Sequence, residues 1–267
     1  ATVRRNEHGI PEVSADGLVN LAFGQGWTHA CDRQLQILLS RVLLQGRAAE
    51  KLAGDPALVE IDRYMRRMNV MPDTDSEIEK LEPAVREQMQ AYADGVNCYL
   101  EENPLVFELK LLGYRPEPWR IHDTFMIGKV MGLLGLADAQ GNMEKLIVQM
   151  VQNGMDGTRL KELFPYLTEK IDADLMRKIT LAPPLVPESL NWLRALPRFI
   201  ASNNWVISGA RSKSGKPMLC SDPHLEVNRL PSVWQEIVLR SPDDVIMGVS
   251  IPGAPGKAAS SAPKFLI

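Results

Sequence analysis

Apolar positions along this chain change their period once. Through the longer first part they return at helical spacing. After an interval crowded with prolines they gather into short β-branched and aromatic runs. From Asp16 to Ala53, Leu18, Ala22, Leu35, Leu38, Leu39, Val42 and Leu43 recur at helical intervals. That predicts two or three helices, with Asp16 as the opening cap and Gly54-Asp55-Pro56 as the stop. Before them, Thr2 to Arg5 and Glu12 to Ser14 flank Asn6-Glu7-His8-Gly9, the pattern of a short hairpin. Ser76 with Glu79 reads as a capping box. Pro83 to Leu100 predicts a helix with Val85, Met89, Tyr92, Val96 and Tyr99 on one face, ended by Asn103-Pro104. Pro104 to Trp119 reads as loop. Asp123 then caps a helix from Thr124 to Leu136, and Gly141-Asn142 breaks it before Met143 to Val151.

Pro183, Pro184, Pro187 and Pro197 mark a linker. Beyond it, Trp205–Ser208, Met218–Ser221, Val233–Leu239 and Val245–Ser250 read as strands separated by Gly and Pro turns. A helix-rich half followed by a strand-rich half predicts an α+β fold rather than βαβ winding. The expected divisions are 1–182 helical, 183–201 linker, 202–256 strand-rich, and 257–267 a tail of different character.

Composition narrows the function classes. Apolar residues make up 45% and charged residues 24% of the chain, ordinary values for a globular protein. A net charge of -3 gives no electrostatic case for nucleic acid or an anionic membrane. No stretch is long and apolar enough for a transmembrane helix, so no membrane partner is expected. Cys31, Cys98 and Cys220 lie far apart and form neither a metal motif nor a disulfide framework; buried free thiols are the expectation. His8, His29 and His122 read as structural. Arg4, Arg5 and Glu7 come too early for a secretory signal, but the chain starts at Ala1 rather than Met. A periplasmic or secreted location would follow from a removed signal, a cytoplasmic one otherwise.

The informative segment is Ala201-Ser202-Asn203-Asn204-Trp205-Val206-Ile207-Ser208-Gly209: a small residue, Ser-Asn, then an aromatic and β-branched strand. Upstream stand Gly9-Ile10-Pro11, Gly24-Gln25-Gly26-Trp27-Thr28-His29-Ala30-Cys31-Asp32-Arg33, Gly46-Arg47-Ala48-Ala49-Glu50, Asp62-Arg63-Tyr64-Met65-Arg66, Ala91 to Asn97, and Leu112 to Trp119. In this order the segments resemble the penicillin acylase family of N-terminal-nucleophile (Ntn) hydrolases, over residues 3 to 256.

The resemblance implies an αββα sandwich, only partly encoded here, preceded by a helical α-subunit-like half. It implies self-cleavage between Ala201 and Ser202, after which the α and β chains of one precursor stay associated. Ser202 would then join a nucleophilic hydroxyl to a terminal amine, a base that titrates near pH 8 (about 7.7–8.0). The implied reaction is hydrolysis of a small-molecule N-acyl amide, with no cofactor for the chemistry. His224, in Asp222-Pro223-His224, corresponds to a histidine that orients the nucleophile in the glutaryl- and acyl-homoserine-lactone-acylase-like branches. Leu225 and Leu134 correspond to acyl-pocket walls, and Glu144 to a carboxylate near a structural Ca²⁺. Read without the resemblance, Ser202 is an exposed serine before a strand, His224 a loop histidine, Leu225 and Leu134 core packing, and Glu144 a solvated helix residue. A conventional Ser-His-Asp hydrolase finds no G-x-S-x-G elbow here. Family members continue well past the equivalent of Gly256, whereas Lys257 to Ile267 matches nothing in the pattern. The family's oxyanion donors are therefore expected outside this sequence, and a catalytically incomplete fragment or remnant stays open as the alternative.

Overall fold

The structure, a computed structural model, describes residues 1–69, 74–130, 132, 138–165, 172–181, 203–222, 232–256 and 259–260. Strands β1 (Thr2–Arg5) and β2 (Pro11–Ser14) form the expected hairpin. The helices are α1 (Gly17–Leu44), α2 (Ala48–Lys51), α3 (Pro56–Met68), α4 (Thr74–Glu79), α5 (Pro83–Glu102), α6 (Phe107–Leu111), α7 (Ile121–Val130), α8 (Asp138–Gln152), α9 (Gly157–Leu163) and α10 (Ala173–Lys178). The later strands are β3 (Asn203–Ile207), β4 (Met218–Asp222), β5 (Gln235–Arg240), β6 (Val245–Ser250) and β7 (Ala259–Ser260). The α+β expectation holds.

The strands form two sheets. One has the order β1-β2-β5-β6-β7; the other is the β3–β4 pair. β2 runs parallel to β5, with Val13 opposite Leu239, so the first hairpin of the chain shares a sheet with its strand-rich part. Val13, Leu21, Ile237 and Leu239 close a small core between that sheet and α1. The main core lies among the helices and includes Ile37, Leu38, Leu43, Ile61, Tyr92, Val96, Trp119 and Met126.

The crossing of α1 and α5 explains two glycines. A Cβ on Gly26 would stand 2.1 Å from the Tyr92 carbonyl oxygen, and one on Gly95 would stand 2.0 Å from that of Phe23. Only glycine on both sides allows this backbone approach.

Several local expectations need correction. Asp16 stands at the N-cap of α1 but makes no side-chain cap. The Asp55-Pro56 pair, read as a stop, also starts α3: the Asp55 carboxylate accepts from the Ala57 N–H, and Pro56 fills the first turn. Ser76 and Glu79 lie inside α4 rather than at its entry. The loop expected from Pro104 to Trp119 contains α6, whose Leu109 is fully buried. Asp123 is already inside α7, where its carboxylate reaches back to the Arg120 N–H at 2.9 Å. α8 runs unbroken through Gly141-Asn142, because a glycine within a helix costs only about 1 kcal/mol. Cys31 and Cys98 are half-buried and Cys220 exposed, so the thiols are free as expected but none is fully buried. Among the described residues no helix is long and apolar enough to cross a membrane.

Candidate active site

The segment around the candidate nucleophile is a two-stranded ladder. β3 and β4 pair antiparallel from Asn203↔Asp222 to Ile207↔Met218. The stretch between them, holding the basic run Arg211 to Lys216, turns through a 3-10 segment at Gly209–Arg211, as a hairpin tip should. Every residue of β3 is exposed, with Trp205 at 50% and Val206 at 73%. Trp205 and Ile207 project to one side and Val206 to the other, so both faces of the strand carry open apolar surface.

Ala201, Ser202, His224, Leu225 and Leu134 lie outside the described residues. Their nearest described neighbours are informative for the first three. Asn203 is bonded to Ser202, and Asp222 is two residues before His224. The register makes Asn203 and Asp222 direct partners at the open end of the hairpin. Paired Cα atoms in an antiparallel ladder stand about 4.5–5.5 Å apart.

Glu144 is exposed on α8, and its Oε1 accepts from the Gln140 side-chain amide at 2.8 Å. Among the described residues no group of three or more His, Cys, Asp and Glu side chains could hold a metal. Glu144 is one carboxylate on an open helix face, and Ca²⁺ takes about six to eight oxygens.

The other motif segments converge on the scaffold. His29, fully buried, joins Tyr92 Oη at 2.7 Å and Ser250 Oγ at 2.9 Å. Tyr92 Oη accepts from the Gly253 N–H at 2.9 Å, and Ser250 Oγ donates to the Gln235 carbonyl at 3.1 Å. Gln25 exchanges two hydrogen bonds with the backbone of Gly256, at 2.9 and 3.0 Å. The Asp32 carboxylate accepts from Arg5 and from the Gln235 amide. Arg33, at a kink in α1, donates to the Trp234 carbonyl. One face of α1 thus fastens the helices to β5, β6 and the turn that follows.

A second cluster locks α2, α3 and the approach to α7. The Asp62 carboxylate caps α2 by accepting from the Ala48 and Ala49 N–H groups at 2.7 and 2.8 Å. Arg47 and Lys51 hold Glu117, and their hydrogen bonds push its carboxyl down to about 2. Arg41 is buried; it donates to the Glu117 carbonyl and stacks 5.8 Å from the Trp119 ring centroid. Burial raises the Asp123 carboxyl even though Arg41 stands 3.8 Å away. Trp119 and Asn97 exchange backbone and side-chain bonds at 2.6 and 3.0 Å.

The penicillin amidase family's sequence model matches residues 1–260. The chain belongs to the penicillin amidase family. It is 33% identical over 97% of its length to the acyl-homoserine lactone acylase QuiP of Pseudomonas aeruginosa, of which it covers 31%. It is 29% identical over 95% of its length to the penicillin acylase 2 proenzyme of Pseudomonas sp. (strain SE83), covering 34% of that relative. Among solved structures it is similar to a thermostable penicillin G acylase from Alcaligenes faecalis, with 25% identity and a TM-score of 0.48. The match covers 68% of this chain and 97% of that one. This penicillin amidase family chain therefore spans about a third of the length of the curated relatives it matches. Within the family pattern, the segment from Gly24 to Arg33 joins α1 to the sheet, and those holding Arg47, Asp62 and Glu117 lock the helices to one another.

Proposed function

We propose that this chain is part of an amidohydrolase that splits linear carbon–nitrogen amide bonds, with Ser202 as its nucleophile. In the maturation step, Ser202 Oγ attacks the Ala201 carbonyl carbon. The Ala201–Ser202 C–N bond breaks as an ester forms, and the released nitrogen takes the hydroxyl proton. Water then hydrolyses the ester, leaving a carboxylate on Ala201 and a free α-amine on Ser202. In turnover, the hydroxyl attacks the substrate carbonyl and its proton passes to the α-amine. That proton leaves with the product amine, and water releases the acyl group. His224 is assigned the role of orienting the hydroxyl, and Leu225 and Leu134 that of walls for the acyl group. Protein groups and water supply all the chemistry.

The observation that carries this reading is the Asn203↔Asp222 pairing. By connectivity it brings the strand leaving Ser202 beside the strand heading for His224. Family membership supports it, as do relatives named for acyl-homoserine lactone and penicillin acylase activities. Those names point to substrates of the type R-CO-NH-R′, and an apolar acyl group is part of the proposal. A second reading, a chain with no hydrolysis of its own, draws support from the open faces of β3 and β4.

Intact-mass measurement separates the readings when paired with a chromogenic acyl-anilide assay. The acylase reading expects two fragments meeting at Ala201/Ser202, release of the aniline, and loss of both in Ser202→Ala. An uncut chain without amine release supports the second reading. An uncut chain that still releases amine contradicts the terminal-serine mechanism.

A further inference from the structure

We propose that the hydrogen-bonded series Gly253–Tyr92–His29–Ser250–Gln235 is an acid-sensitive latch, which holds α1 and α5 against β5, β6 and the 251–256 turn while His29 is neutral and opens that seam when His29 takes a proton. The inference does not depend on Ser202.

The direction of each hydrogen bond fixes the tautomer. Ser250 Oγ spends its proton on the Gln235 carbonyl, so it accepts from His29 Nε2–H. Tyr92 Oη accepts from the Gly253 N–H, and its single proton points to His29 Nδ1. Every member donates one way along the series. A protonated ring would add an Nδ1–H facing the Tyr92 proton, and one of the two would lose its acceptor. His29, Tyr92 and Ser250 are all fully buried, so bulk solvent does not reach them to replace it.

Among the described residues the surroundings offer His29 no free counter-charge. α5 presents the Tyr92 hydroxyl to the ring and β6 presents Ser250. β5 contributes the Gln235 carbonyl through Ser250, and the turn contributes the Gly253 N–H through Tyr92. α1 brings the Arg33 guanidinium, a like charge for an imidazolium. Asp32, one turn along α1 from His29, is engaged by Arg5 of β1 and by the Gln235 side chain. α7 meets the turn with apolar Ile127: a Cβ on Gly253, whose φ is +105°, would stand 2.0 Å from the Ile127 side chain.

Burial first, and Arg33 second, push His29 from 6.5 down to about 3. The sign follows. The closed seam takes up a proton only near the lower value, whereas an opened seam takes one up near 6.5. Closure is therefore fully favoured above the higher value and is lost as pH falls through the window between them. With one proton linked, opening should rise about tenfold per pH unit inside that window.

Hydrogen exchange on the full chain, followed amide by amide by NMR and corrected for intrinsic rates, reads this directly. Protection at Gly253 relative to Leu38 in the helical core should be level at pH 7 and then fall about tenfold per unit from about pH 6 to about 4. His29→Gln, which cannot titrate here, should flatten that dependence, and Tyr92→Phe should lower Gly253 protection already at pH 7. Should His29→Gln fail to fold, the wild-type series and the ring nitrogen shifts still decide. Those shifts should show the Nε2–H tautomer at pH 7. A Gly253 protection that tracks Leu38 at every pH overturns the latch. An Nδ1–H tautomer does so too, as does a ring that titrates near 6.5 with the seam closed.

Discussion

β5–β6 and β3–β4 are both short antiparallel ladders of apolar and polar residues, six and five residues long in each strand. Their surroundings differ. β5 is flanked by β2 and β6, its Gln235, Ile237 and Leu239 face α1, and its N-terminal end is fastened by Arg33, Asp32 and Ser250. β3 has β4 as its ladder partner and is exposed at every residue. A strand's local preference is thus similar in the two places, while its burial is set by partners far away in sequence. The difference also divides labour. Segments that bear the family resemblance in the helical half build a closed scaffold, and the segment bearing the proposed nucleophile stands on the least covered ladder.

Substitutions can test that contrast. The largest effect is expected at Trp119, which is 1% exposed and donates from its indole to Thr124. Trp119→Ala should cost about 3–5 kcal/mol, read as a lower urea midpoint at unchanged slope. Asp62→Ala removes the acceptor of two backbone N–H groups at the start of α2. It should cost about 1–3 kcal/mol in the same measurement. Trp205→Ser should cost less than about 0.5 kcal/mol in the same measurement, because the ring is half in solvent already. It should also reduce self-association in sedimentation, since open strand faces promote it. A Trp205→Ser cost as large as that of Trp119→Ala would erase the distinction.

Much of the fold is legible in the residues themselves. The first hairpin, α5 and the strands from Trp205 to Ser250 follow from period and turn residues, and the structure keeps them within a few positions. α3 escapes because Asp55-Pro56 serves both as the end of one helix and as the cap and first turn of the next. α6 escapes because five residues between prolines carry too little periodicity to register. The Asp123 carboxylate belongs to a capping arrangement, but it reaches backward to Arg120 rather than forward. The candidate site was legible as a pattern centred on Ser202 and His224, and those two residues lie outside the described part. The His29 series was legible only as a structural histidine. Its partners Tyr92 and Ser250 are 63 and 221 positions away, and no local period links them.

Backbone hydrogen exchange of the intact chain, resolved by peptide, is the most direct test of a closed scaffold beside an open ladder next to the proposed nucleophile. Peptides from α1, α5 and β5–β6 should stay protected for hours at neutral pH, while those spanning Asn203 to Asp222 exchange within seconds to minutes. Equal, strong protection across both ladders would contradict the account.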